Sequence, residues 1–222
     1  MVQEGNNDIM NGFIKTLFLS IPKKQMMALT GLSFCAFLAI HLFGNLSIYR
    51  GESSFVSYSE HLHSLGVLIN LAEIGLLFLA IIHILLAALL YFENWRARPV
   101  RYVMKKNAGG RTFSSALMPY TGLYLLVFVI LHLLTFHFVD YRAQGIFRLV
   151  SSVFSNPEYV VFYAFSMIVA AFHVKHGFWS AFQTLGVNHP KYMPLIRTVS
   201  LIFSLFVAAG FGSIPVFMMI NS

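Results

Sequence analysis

Five long apolar runs dominate this chain, at roughly 26–48, 65–92, 116–139, 159–182 and 199–219. Each is long enough to cross the hydrocarbon of a bilayer as a helix, which takes about twenty residues. The runs are continuous rather than alternating, so they read as helices and not as barrel strands. Lipid offers a backbone no hydrogen-bond partner, and a helix satisfies its own polar groups. Of the 222 residues, 58% are hydrophobic and 10% charged, far from the balance of a soluble domain. The expected class is all-α: an integral membrane protein with five transmembrane helices. Residues 1–25 read as a cytoplasmic N-terminal segment and 26–222 as one five-helix membrane domain, with no room for a soluble catalytic domain. Residues 10–22 read as a short amphipathic helix on the membrane surface. No secretory signal precedes the first run.

The net charge of +7 has a direction. Lys15, Lys23 and Lys24 precede the first run, and Arg96, Arg98, Arg101, Lys105, Lys106 and Arg111 follow the second. Lys191 and Arg197 follow the fourth. The opposite side has Arg50, Arg142 and Arg148, offset by Glu52, Glu60, Asp140 and Glu158. Positive residues stay cytoplasmic, so the N-terminus is expected inside and the C-terminus outside. This distribution speaks for a lipid bilayer and against nucleic acid. The basic loops either record topology alone or form a docking surface for a cytoplasmic partner.

Four histidines lie within four different runs: His41, His83, His132 and His173. An imidazole in hydrocarbon is costly without a partner and marks function by default. Counting along each helix places His41 and His132 late in outward-running spans, near the outer face. His83 and His173 fall past the midpoints of inward-running spans, nearer the cytoplasm. Two pairs result, at levels about 10–15 Å apart. One histidine per helix at two depths is the pattern of two haems held by bis-histidine ligation, the first four helices forming the haem-binding bundle. Such an iron has no open position and carries electrons rather than binding oxygen. Zinc fits less well, because no carboxylates or thiols complete a tetrahedral set. The one cysteine, Cys35, excludes a disulfide framework and a C-x-x-C-H attachment.

An internal echo accompanies the outer pair. Thr30-Gly31-Leu32 precedes His41-Leu42 as Thr121-Gly122-Leu123 precedes His132-Leu133, and Phe37 matches Phe128. The glycines are expected to let a flat porphyrin edge approach the backbone, although small residues also serve plain helix packing. A ligand imidazole usually donates its other N–H to a carbonyl or hydroxyl, and Thr and Ser one turn away are candidates, none of them assigned by the sequence.

Other candidates are less defined. His176 lies one turn from His173 and competes with it as inner ligand. His176 and Lys175 also stand where haem propionates would meet the inner surface. His137 reads as an interfacial residue and His189 as a loop residue. Glu73, inside the second run, is either a proton donor and acceptor for a quinone or a carboxyl near the headgroups. Glu60, His61 and His63, in the outer loop before the second run, are either solvated residues or proton exchangers beside the same quinone.

These residues resemble a known family, the single-chain, five-helix dihaem cytochrome b anchor of bacterial succinate dehydrogenases and quinol:fumarate reductases. The matching pieces are Ile40-His41-Leu42 with Asn45, Ile82-His83, Lys106-Asn107-Ala108-Gly109 and Leu131-His132-Leu133. The most specific is the stretch from Phe172-His173 through Gly177-Phe178-Trp179-Ser180 to Gly186. The resemblance implies two haems b and a quinone, menaquinone, as cofactors. It implies an iron–sulfur subunit and a flavoprotein subunit as cytoplasmic partners, and the cytoplasmic (inner) membrane of a bacterium as location. It assigns the ligand to the histidine four before the glycine, which is His173 rather than His176. Some fumarate-reducing relatives have a glutamate two residues before this ligand. Here Ala171 stands there, and their proton route does not carry over. Two rival readings are a dihaem cytochrome b of another membrane dehydrogenase and a proton-coupled transporter lined by histidines. The first usually places two ligands on one helix, and the second usually has broken helices or more mid-span charge.

Overall fold

The computed structural model describes residues 20–97, 113–140 and 145–221. Among them seven α-helices and no strand occur. In chain order they are α1 (Ser20–Asn45), α2 (Glu52–Ser64), α3 (Val67–Arg96), α4 (Phe113–His132), α5 (Ile146–Phe154), α6 (Pro157–Thr184) and α7 (Met193–Asn221). Five of them, with short extensions, are long and apolar enough to cross a bilayer: Ile21–Arg50, Val67–Arg96, Ser114–His137, Pro157–Thr184 and Met193–Asn221. The described residues are all-α, with five membrane-spanning helices among them.

The helices outrun the apolar runs because a helix need not stop where its side chains turn polar. At 30 residues, α3 is about 45 Å long, so its ends project from a hydrocarbon layer of about 30 Å. The described part of α1 already includes residues 20–25, inside the stretch read as the N-terminal segment. The rest of the surface-helix reading over 10–22 lies outside the described residues. So do Lys15, Arg98, Arg101, Lys105, Lys106, Arg111 and Arg142, and with them the Lys106–Gly109 piece.

α6 is the hub. It packs against α1, α4 and, most extensively, α7, whereas α3 leans chiefly on α1. The start of α6 is set by Asn156, whose side chain accepts a hydrogen bond from Glu158 N at 2.9 Å, with Pro157 at the first helical position. α7 approaches α1 closely enough that a Cβ on Gly210 would lie 2.8 Å from both Leu42 methyl carbons. Leu42 is fully buried and has no room to yield, so this crossing needs glycine. The outward faces of α3 and α4 are apolar and exposed, as lipid-facing surface must be.

Two short helices lie between the spans. α5 buries Leu149, Val150 and Phe154 against the bundle. Residues 52–64, read as a loop, form α2 instead. Gly51, at φ +97°, turns the chain into it, and Glu52 sits favourably in its first turn. Tyr58 of α2 rests on Gly44 of α1, where a Cβ would overlap the ring. His61 and His63 are therefore helical residues.

Candidate functional site

His41 lies on α1, His83 on α3, His132 on α4 and His173 on α6. All four are half-buried. They meet in twos. The His41 and His132 rings are 6.1 Å apart between centroids and nearly perpendicular, at 82°. His83 and His173 lie within electrostatic reach of each other. Yet neither α1 and α4 nor α3 and α6 make extensive contact with one another among the described residues. Each pair of imidazoles thus reaches across a separation between helices, not across a packed seam.

This arrangement fits a haem. Two imidazoles that bind one metal from opposite sides, at about 2 Å per metal–nitrogen bond, have ring centres about 6 Å apart. Among the described residues no three His, Cys, Asp or Glu side chains converge as a metal-binding group. Donors in twos suit a metal that arrives with its own equatorial ligands, as haem iron does, and do not complete a zinc tetrahedron.

The repeated Thr-Gly pairs act on the inner histidines, not on the outer pair they were expected to serve. Thr30 Oγ1 is 2.9 Å from His83 Nδ1, and Thr121 Oγ1 is 3.1 Å from His173 Nδ1. A Cβ on Gly31 would lie 3.5 Å from His83 Cε1, and one on Gly122 would lie 3.4 Å from His173 Cε1. The reason is distance: eleven positions along a helix carry Thr30 about 16 Å from His41, to the level of the neighbouring helix's histidine. The hydroxyl partners therefore come from across the bundle, not from one turn away. The phenylalanines of the echo, four residues before their histidines, do serve the outer pair. Phe37 stacks on His41 at 5.2 Å and 14°, and Phe128 on His132 at 5.9 Å and 26°.

The outer pair has looser polar company. Asn45 Nδ2 donates to the His41 carbonyl at 2.8 Å and lies 3.4 Å from His41 Nδ1. The Tyr163 hydroxyl is 3.4 Å from His132 Nδ1. Phe211 of α7 closes over His41 at 5.4 Å. Directly after His132 the helix widens into one π-turn, Leu133–His137, closed by Phe138 N to Leu133 O at 3.0 Å. Such turns often occur at functional sites and have no residue signature.

The remaining candidates separate. His176 turns its ring edge to Trp179 at 5.0 Å, and its buried Nδ1 has no hydrogen-bond partner among the described residues. Arg197 lies over the same Trp179 ring at 4.9 Å. Lys175 is half-buried, and its carbonyl accepts from Ser200 of α7. His137 ends the π-turn, exposed, against Phe138. His189 accepts from Lys191 N at 3.2 Å. Glu73 is exposed in the second turn of α3, and Glu60, His61 and His63 are exposed on α2, with His63 Nδ1 2.7 Å from the Ser59 carbonyl. A second carboxyl of α3, Glu93 near its far end, pairs with the almost fully buried Lys23 of α1. The apolar run ends just before Glu93, which is why that pair was missed.

No protein-family model matches the chain, and no solved structure matches it. A curated relative does match: the succinate dehydrogenase cytochrome b558 subunit of Bacillus subtilis (strain 168). The two are 27% identical over 181 residues, which cover 79% of this chain and 84% of the relative. The chain is a five-span, all-helical membrane protein similar to the cytochrome b558 subunit of succinate dehydrogenase.

Proposed function

We propose that the chain is the membrane-anchor cytochrome b subunit of a succinate:quinone oxidoreductase, carrying electrons between a membrane quinone and an iron–sulfur subunit. The observation that carries this reading is four imidazoles on four spanning helices, with His41 meeting His132 across separated helices and His83 within electrostatic reach of His173. His41 and His132 hold one haem b, distal from the cytoplasm, and His83 and His173 hold the proximal one. When bound, each haem supplies reversible one-electron transfer at an iron with all positions filled.

The chain's own part is ligation, spacing and insulation. Phe37 and Phe128 fix the planes of the outer imidazoles by stacking. Gly31 and Gly122 lie beside the inner imidazoles, where an added Cβ would make only ordinary contact. The unpartnered Nδ1 of His176, with Lys175 beside it in sequence, suits a propionate carboxylate, which accepts hydrogen bonds and balances positive charge. Glu73, Glu60, His61 and His63 stand toward the outer side, where a quinone, menaquinone, exchanges protons as it takes or gives electrons. The excess of basic residues before the first span and after the second supports a cytoplasmic N-terminus and a cytoplasmic loop after the second span. There the iron–sulfur subunit docks, bearing the flavoprotein that interconverts succinate and fumarate.

The test uses the assembled complex and reads the haem bands by absorbance. Succinate is expected to reduce them, or fumarate to reoxidise them, through the partner subunits. Bands that answer dithionite and a quinol but neither dicarboxylate would assign the chain to a different membrane dehydrogenase.

A further inference from the structure

We propose that Thr30 and Thr121 are positioning residues that hold both inner imidazoles in one tautomer and thereby tune one haem but not the other. The inference rests on the haem ligation proposed above. It follows from counting protons. A threonine hydroxyl has one proton to give and lone pairs to receive. Thr30 Oγ1 lies 3.0 Å from each of the Met26 and Met27 carbonyl oxygens, which only accept. Its proton goes to one of them. Toward His83 Nδ1, at 2.9 Å, it has a lone pair left. The bond therefore requires the His83 proton on Nδ1, and Nε2 is left with a free lone pair.

Thr121 repeats the arrangement. It lies 3.0 Å from the Leu117 carbonyl, 3.2 Å from the Met118 carbonyl and 3.1 Å from His173 Nδ1. Two threonines on different helices thus impose the same sense on two imidazoles that lie within electrostatic reach of each other. A buried histidine with a merely structural role needs no such matched orientation. A pair sharing one metal does, since each must present an unprotonated nitrogen.

The outer pair has no equivalent. Asn45 donates to a carbonyl at 2.8 Å, and its 3.4 Å approach to His41 Nδ1 is beyond a good N–H···O or N–H···N length. Tyr163 stands equally far from His132 Nδ1. An imidazole that donates its N–H firmly is a more basic ligand and favours the ferric state. Removing the acceptor should raise the potential of the haem it serves.

The experiment uses the full chain with its haems, carrying Thr30→Val or Thr121→Val, with Thr30→Ser and Thr121→Ser as partners that keep the hydroxyl. Potentials are read by absorbance titration, and ligand-plane orientation by the low-spin electron paramagnetic resonance signal. Each valine variant is expected to move the same one of two titration steps to a more positive potential and leave the other in place. The serine variants are expected to titrate as the unmodified protein does. The proposal fails if both steps stay put, if both move equally, if the two threonines move different steps, or if serine behaves as valine. Should a valine variant lose a haem altogether, recovery by serine supports the proposal and equal loss with serine overturns it. An unmodified protein without two titration steps refutes the haem reading itself. Two steps left unmoved by both valines refute the threonine assignment alone.

Discussion

Replacing His132 with alanine is expected to remove one of the two proposed haems and leave the other in place, and His41→Ala should remove the same one. The two rings meet at 6.1 Å from helices that do not pack closely on each other, so neither ligand has a substitute across the gap. Phe37 and Phe128 are the nearest stacked neighbours, and neither can bind iron. The inner pair is on other helices, held by Thr30 and Thr121, and should keep its haem. The measurement is the reduced-minus-oxidised absorbance spectrum of each purified variant, normalised to protein. About half of the haem should go in each case, with the same spectral component missing from both. Different components missing from the two variants would mean that His41 and His132 do not share an iron.

The second large effect separates two neighbouring histidines. His173→Ala is expected to abolish the inner haem, and His176→Ala to retain it with a changed spectrum or potential. Thr121 and Gly122 engage His173, while His176 turns toward Trp179 and leaves its Nδ1 without a partner. A residue whose other ring nitrogen is engaged by a hydroxyl is a ligand candidate, and one with an unpartnered buried ring nitrogen is a candidate to meet an anion. Haem content per chain decides between them. Retention of haem in His173→Ala with loss in His176→Ala would move the ligand by one turn.

The spanning helices were legible because twenty apolar residues in a row have one economical conformation in lipid. The four central histidines were legible for the same reason, as imidazoles stand out against Leu, Ile and Phe. The partners of those histidines were not. Thr30 and Thr121 were visible as a repeat, but sequence spacing says nothing of which helix lies beside which. The repeat was therefore credited to the histidines on its own helices, when its hydroxyls reach across the bundle. Residues 52–64 read as a loop because their polarity masked a helix that faces water on one side and sets Phe55 and Tyr58 against the bundle on the other. The π-turn after His132 had no signal at all, since an i to i+5 hydrogen bond selects no side chain. Lys23 and Glu93 are seventy positions apart, and only the packing of α1 on α3 brings them together.

The most direct measurement is the number of haems b per chain in protein purified from cells supplied with iron and tetrapyrrole precursor, counted by pyridine haemochrome against amino-acid analysis. Two per chain, both low-spin, is the expected result. A colourless protein, or one that carries a single high-spin haem with an open coordination position, would contradict it.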